Sequence, residues 1–132
     1  MERKRILIDT SILIDHLRKK RKDKTQFFEL AKHYECTISS ITKFEFSIGA
    51  SPNNLQFTEK LLAILPVLSF DSVCAQIAAD IYRDLKSKNQ LISLPDIFIA
   101  ATAIANDLPL QTLNRKHFER VERVKLDLKR VK

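Results

Sequence analysis

Short aliphatic runs alternate with helix-like patterns from one end of this chain to the other, and that alternation restricts the fold more than any other feature. Ile6-Leu7-Ile8 reads as a buried strand, closed by Asp9-Thr10-Ser11, residue types that cap a following helix. Ile12, Leu13 and Leu17 fall on one side of that helix, which runs into the basic stretch Arg18–Lys22. Phe27, Phe28, Leu30 and Ala31 mark a second, short helix. Cys36-Thr37-Ile38 is a second strand, left through Ser39-Ser40. Ile41, Phe44 and Ile48 then recur at helical spacing, which places a helix over 40–48. Gly49 ends it, as a glycine just past a helix C-terminus does.

Pro52-Asn53-Asn54 forms a turn before an apolar helix that reaches Leu65, and Pro66 opens a third strand, Val67–Phe70. Asp71 or Ser72 caps a long helix whose Val73, Ile77 and Ile81 repeat every four residues. Ser93 and Pro95 start another helix, apolar almost all round from Ile97 to Ala105 and therefore deeply buried. Leu110–Thr112 and Val124–Leu126 read as strands four and five, with a short helix at 115–119 between them. Strands separated by helices of ~10 residues or more pair in parallel through right-handed crossovers. The expected fold is α/β: one domain over residues 1–132, a three-layer α/β/α sandwich around a parallel sheet of about five strands. No run approaches the ~20 apolar residues of a membrane span. The opening MERKRILIDTS is too short in apolar length for a signal-peptide core of ~7–15 residues. A cytoplasmic protein with no membrane association is expected.

Composition removes several kinds of chemistry. The single glycine excludes a P-loop and a GxGxxG dinucleotide turn, both of which need several glycines for close approach to phosphate. Two cysteines, Cys36 and Cys74, make neither a disulfide framework nor a four-thiolate zinc site. His16, His33 and His117 show no metal-ligand spacing. Carboxylates remain as catalytic material. The net charge of +7 is unevenly spread: nine Lys/Arg face four acids in residues 1–24, eight face three in 114–132, and the middle is net acidic. Basic ends around an acidic middle suit a polyanion, whose counterions Lys and Arg replace. The same charge also serves solubility.

In an open parallel sheet the functional crevice lies beyond the carboxyl ends of the strands, where strand order reverses. Asp9 directly follows the first strand. Asp96 lies in the first turn of the buried helix leading to strand four, and Glu45 sits on or beside an apolar helical stripe. Each also admits a purely structural role: Asp9 as a helix cap, Asp96 as a favourable charge at a helix N-terminus, Glu45 as the partner of a lysine. Brought together, three carboxylates repel one another unless a divalent cation such as Mg²⁺ or Mn²⁺ lies among them.

The segments ILIDTSILID, ITKFEF and LPDIFIAATAIANDLPLQTLNRKHFERV, in that order, resemble the PIN-domain nucleases of the VapC toxin type from Ile6 to about Val121. The third segment is the most specific: an Asp entering an Ile/Ala-rich helix, a turn with Pro109, then a Thr-x-Asn-x-x-x-Phe tail. The resemblance implies a PIN-like fold and endoribonuclease activity. It assigns Asp9, Glu45 and Asp96 to the metal, with Asn114 where many PIN domains have a fourth acid. A neutral amide there attracts a second cation less than a carboxylate would. Asn89 stands near the place where the family often has glycine, and tolerates a left-handed turn. Thr10 and Ser11 are expected to bond phosphate or orient Asp9, and Thr112 and Arg115 to touch substrate phosphate. Asp9 and Asp96 would bind the cation directly and Glu45 through water, for hydrolysis of RNA by metal-activated water. The resemblance also implies a VapB-like antitoxin that plugs the crevice, and a homodimer. Two other readings fit parts of the pattern. One is a receiver-like signalling domain phosphorylated on Asp71; the other is an RNA-binding PIN-like module without catalysis.

Overall fold

The computed structural model describes residues 3–126. Four strands form one parallel sheet, β1 (Arg5–Ile8), β2 (Glu35–Ser39), β3 (Val67–Leu68) and β4 (Leu110–Gln111), in the order β3-β2-β1-β4. Among the described residues, seven helices surround it: α1 (Thr10–Arg18), α2 (Gln26–His33), α3 (Ser40–Ile48), α4 (Leu55–Ile64), α5 (Ser72–Ser87), α6 (Leu94–Ala105) and α7 (Arg115–Phe118). A 3-10 turn at Lys22–Lys24 separates the first two helices. Among the described residues, no helix is long and apolar enough to cross a membrane.

Strand β1 organises the layers. Its Ile6, Leu7 and Ile8 are all fully buried, and the period of two in a strand sends them to opposite faces. Leu7 joins a core with Ile81 and Leu85 of α5, Ile97 and Ala101 of α6, and Phe118 of α7. Ile6 and Ile8 pack on the other side with Ile12 and Leu13 of α1, Leu30 of α2 and Leu61 of α4. A single three-residue run therefore holds both helical layers onto the sheet. Thr37 of β2 is fully buried yet satisfied, because its hydroxyl donates to the carbonyl of Ile6 at 2.7 Å.

The fifth expected strand, Val124–Leu126, is not one. Among the described residues, this segment meets β4 through one main-chain bond, Leu110 N donating to Lys125 O at 2.8 Å. The next partner of the segment is a side chain: Gln111 Nε2 donates to Leu126 O at 2.9 Å. With β4 only two residues long, a ladder has nothing to continue along. Strand β3 is also shorter than expected, stopping at Leu68. Gly49 needs no glycine freedom: its φ is −81°, in the right-handed region, and an added Cβ would meet Glu45 O at an ordinary 3.5 Å. The left-handed stops fall at Asn89 (φ 56°), as its sequence position suggested, and at Asp107 (φ 52°). Each lets the next N–H reach back to the helix, Gln90 to Leu85 O and Leu108 to Ala103 O, so that α5 and α6 end in the same way.

Phe118 is the fully buried anchor of a helix only four residues long. Phe118→Ala is expected to cost about 3–5 kcal/mol of unfolding free energy through lost burial and the cavity left behind. Urea unfolding checks this; a loss below about 1 kcal/mol would contradict Phe118 as the anchor of α7.

Candidate metal centre

Sheet order reverses at β1, whose two neighbours β2 and β4 lead away in opposite directions. The residues just beyond β1 and β4 therefore meet at the topological switch point, where open α/β sheets place their sites. Asp9 follows β1 and Thr112 follows β4, and they are bonded: Thr112 Oγ1 donates to Asp9 Oδ2 at 2.8 Å. Asp9 is also the N-cap of α1, its Oδ1 accepting from the N–H of Ser11 at 3.2 Å and from the Ser11 hydroxyl. Each hydroxyl has one proton to give, and both protons go to Asp9. Their oxygens accept in turn, Ser11 Oγ from Leu113 N at 3.0 Å and Thr112 Oγ1 from Asn114 N at 2.9 Å. Two consecutive amides of the loop after β4 thereby fix which way the hydroxyls point.

Only 2% of Asp9 is exposed. Burial pushes its carboxyl up from the ordinary 3.8 to about 6; the Ser11 and Thr112 hydroxyls oppose that rise, and the charge of Asp96 adds to it. Asp96 thus lies within electrostatic reach of Asp9. It is the third residue of α6, after the N-cap Ser93 and Pro95. Carboxylates at that position often fold back onto the cap N–H. Here Oδ2 lies 3.2 Å from His117 Nδ1. Glu45, half-buried on α3, accepts from the Thr10 hydroxyl at 2.6 Å.

The cap reading of Asp9 is borne out at Oδ1, while Oδ2 is held by Thr112. Ser11 orients Asp9, as expected, whereas Thr10 holds Glu45 rather than Asp9. Among the described residues, no three His, Cys, Asp or Glu side chains close into a ready-made ligand set. The expected trio is a looser arrangement: Asp9 feels the charge of Asp96, and Glu45 is held by Thr10. Asn114 enters through its main chain, and its side chain does not cap α7. Arg115 is turned to its own surroundings, with Nη1 on Leu126 O at 3.3 Å and Nε 3.8 Å from Glu119. His117 was not singled out by the sequence. Its contact with Asp96 joins residues 21 apart, beyond any local spacing rule, and the histidine just before the buried Phe118 was the available signal. Asp71 caps α5, its Oδ1 accepting from Cys74 N at 3.0 Å, which gives that carboxylate a structural occupation.

An oxygen-only donor set suits a hard divalent cation, and Mg²⁺ commonly takes one or two carboxylates and keeps several waters. Asp9 and Asp96 would supply two such carboxylates. Among the described residues, neither Asp9 nor Glu45 has a Lys or Arg ion-pair partner that a cation would displace.

The PIN domain family model matches residues 6–124. Ribonuclease VapC1 of Methanocaldococcus jannaschii is 36% identical over 92% of this chain and 84% of its own. Ribonuclease VapC10 of Mycobacterium tuberculosis is 33% identical over 91% of this chain and 90% of its own. Among solved structures, a toxin–antitoxin complex from Klebsiella pneumoniae is 32% identical, with TM-score 0.73, over 90% of this chain and 94% of its own. DNA-bound VapBC from Salmonella typhimurium superposes with TM-score 0.80 at 28% identity, over 94% of this chain and 96% of its own.

The raised pKa of Asp9 sets a pH dependence. The folded protein holds this proton more tightly than the unfolded chain, so stability tied to Asp9 is full below about pH 4 and is lost as pH rises through about 6. In chelator, wild type should lose roughly 2–3 kcal/mol between pH 4 and 7.5 that Asp9→Asn does not lose. Denaturant unfolding at both pH values checks this, and equal slopes for the two proteins would contradict it.

Proposed function

The chain belongs to the PIN domain family, and from that premise we propose that it is a divalent-cation-dependent endoribonuclease, the toxin of a toxin–antitoxin pair. The observation that carries this reading is the buried carboxylate of Asp9, held by Ser11 and Thr112 at the switch point of the sheet and within reach of the charge on Asp96. Curated relatives named ribonucleases, similar over nine-tenths of this chain, support the substrate class.

Asp9 and Asp96 are the residues that would hold Mg²⁺ or Mn²⁺. When bound, such a cation lowers the pKa of a water and offsets charge growing on the scissile phosphate. Around it the chain supplies positions. Ser11 bonds one Asp9 oxygen and Thr112 the other, and two loop amides fix the direction of those hydroxyls. Thr10 holds Oε1 of Glu45, leaving Oε2 to orient the attacking water. The exposed residues from Leu113 to Lys116 and the Thr112 hydroxyl line a hollow beside this site, and Lys116 and Arg18 offer positive charge to flanking phosphates. Single-stranded or looped RNA suits a crevice of this kind, because its bases splay apart. Attack by an external water leaves a 5′-phosphate and a 3′-hydroxyl.

The partners follow from the relatives. Solved neighbours are toxin–antitoxin complexes, and a VapB-like antitoxin would cover the crevice next to Glu45, where Ile14, Leu17 and Phe46 line a hollow with Arg18 at its rim. Exposed Phe44, Ile48, Ile64 and Val73 leave apolar surface for self-association as a homodimer. A cytoplasmic location suits an enzyme acting on cellular RNA.

Asp96→Asn should lower Mg²⁺-dependent cleavage of a single-stranded RNA by at least about 100-fold while the circular dichroism spectrum is kept. Wild-type products should carry 5′-phosphate ends. Unchanged cleavage by Asp96→Asn, or a 2′,3′-cyclic phosphate product, would reject the mechanism; RNA binding without cleavage by wild type would favour the non-catalytic module.

A further inference from the structure

We propose that His117 is a positioning residue for the cation site, holding Asp96 in the orientation from which it binds; this rests on the reading of Asp9 and Asp96 as cation ligands. His117 Nδ1 stands 3.2 Å from Asp96 Oδ2, so one carboxylate oxygen is engaged and Oδ1 is left for a cation. The Asp96 side chain is 18% exposed and that of His117 50%. A pair this open contributes little to stability when both partners are free to rotate. Here the backbones under both partners are fixed.

The neighbour of His117, Phe118, is fully buried in the core that also contains Ile97, the neighbour of Asp96. Arg120 Nη1 donates to Leu91 O at 3.2 Å and lies 3.5 Å from Gln90 O, in the loop that leads into α6. Lys88 bridges Asp84 of α5 to Glu122 beyond α7, at 3.2 and 2.9 Å. Arg120 thus ties the segment after α7 to the approach of α6, and Lys88 ties it to the end of α5. Such ties do not by themselves call for a histidine facing Asp96, and Phe118 already docks the helix.

The other two carboxylates follow the same plan. Asp9 is held by Ser11 and Thr112, and Glu45 by Thr10, each through a side-chain donor. His117 completes this outer set by doing for Asp96 what the hydroxyls do for Asp9 and Glu45. Partners that orient metal-binding groups typically contribute 10–100-fold in metal affinity.

The test is Mn²⁺ binding to the full chain without RNA, read by electron paramagnetic resonance at one pH near 7.5, with melting temperatures recorded alongside. Asp9→Asn and Asp96→Asn should lose most binding. His117→Ala should weaken it about 10-fold or more at an unchanged melting temperature. His117→Asn, which keeps a donor close to the Nδ1 position, should recover most of the loss. Wild-type affinity in His117→Ala, with Asp9→Asn and Asp96→Asn impaired, would overturn the role of His117 and leave the cation site standing. Tighter binding in His117→Ala would show competition for Asp96, and failure of His117→Asn to recover binding would reduce the contact to packing; either overturns the proposal. Undiminished binding in both aspartate variants would overturn the underlying site reading, and the role of His117 with it.

Discussion

A carboxylate with 2% of its surface exposed is costly to keep ionised, and the arrangement around Asp9 is organised by that cost. Asp9 is buried because β1 is buried on both faces, and Ile6, Leu7 and Ile8 carry the chain straight to it. Two hydroxyls and an amide then bond its oxygens, and the hydroxyls are themselves aimed by amides of the loop after β4. Those bonds do not offset burial fully, which is why the carboxyl titrates near 6 rather than near 4. The remaining deficit at Asp9 is electrostatic, and in the proposed site a divalent cation would offset it. In the proposed site, the burial that costs stability when Asp9 is ionised would favour cation binding.

Much of this was legible in the sequence, for reasons that differ by element. The strand at Ile6–Ile8 and the apolar helix from Ile97 could be read because their patterns are local. Asp9 and Asp96 could be placed because they sit at the punctuation of those elements, directly after a strand and in a first helical turn. Asn89 was legible because a left-handed stop needs a residue that tolerates it. Gly49 ends α3 as its place after Ile48 indicated, though with φ −81° rather than through the left-handed freedom of its type. The segment at Val124–Leu126 has strand-like residues, yet whether they form a strand depends on the length of β4, which local pattern does not report.

The partners of the carboxylates were the least legible part. Thr10 turns to Glu45 across 35 residues, and His117 turns to Asp96 across 21. Such pairings are set by how α1 meets α3 and how α7 docks on α6, after the core has formed. Charge counting was similarly coarse. Lys22 is engaged with the carbonyls of His16, Leu17 and Lys19 at the end of α1, and Lys19 and Arg21 pair with Asp15 and Asp23. From Arg18 to Lys24, among the described residues, the side chains of Arg18, Lys20 and Lys24 have neither an ion pair nor a carbonyl partner. The field that steers a polyanion is therefore narrower than the net charge of +7 suggests.

The central claim is that Asp9 and Asp96 share one cation. Anomalous scattering from a crystal soaked in Mn²⁺ measures this directly. A single strong peak is expected within coordination distance of a carboxylate oxygen of each, with the Asp9 oxygens still bonded to Ser11 and Thr112. A peak that touches neither aspartate, or no peak at Mn²⁺ concentrations that support RNA cleavage, would contradict it.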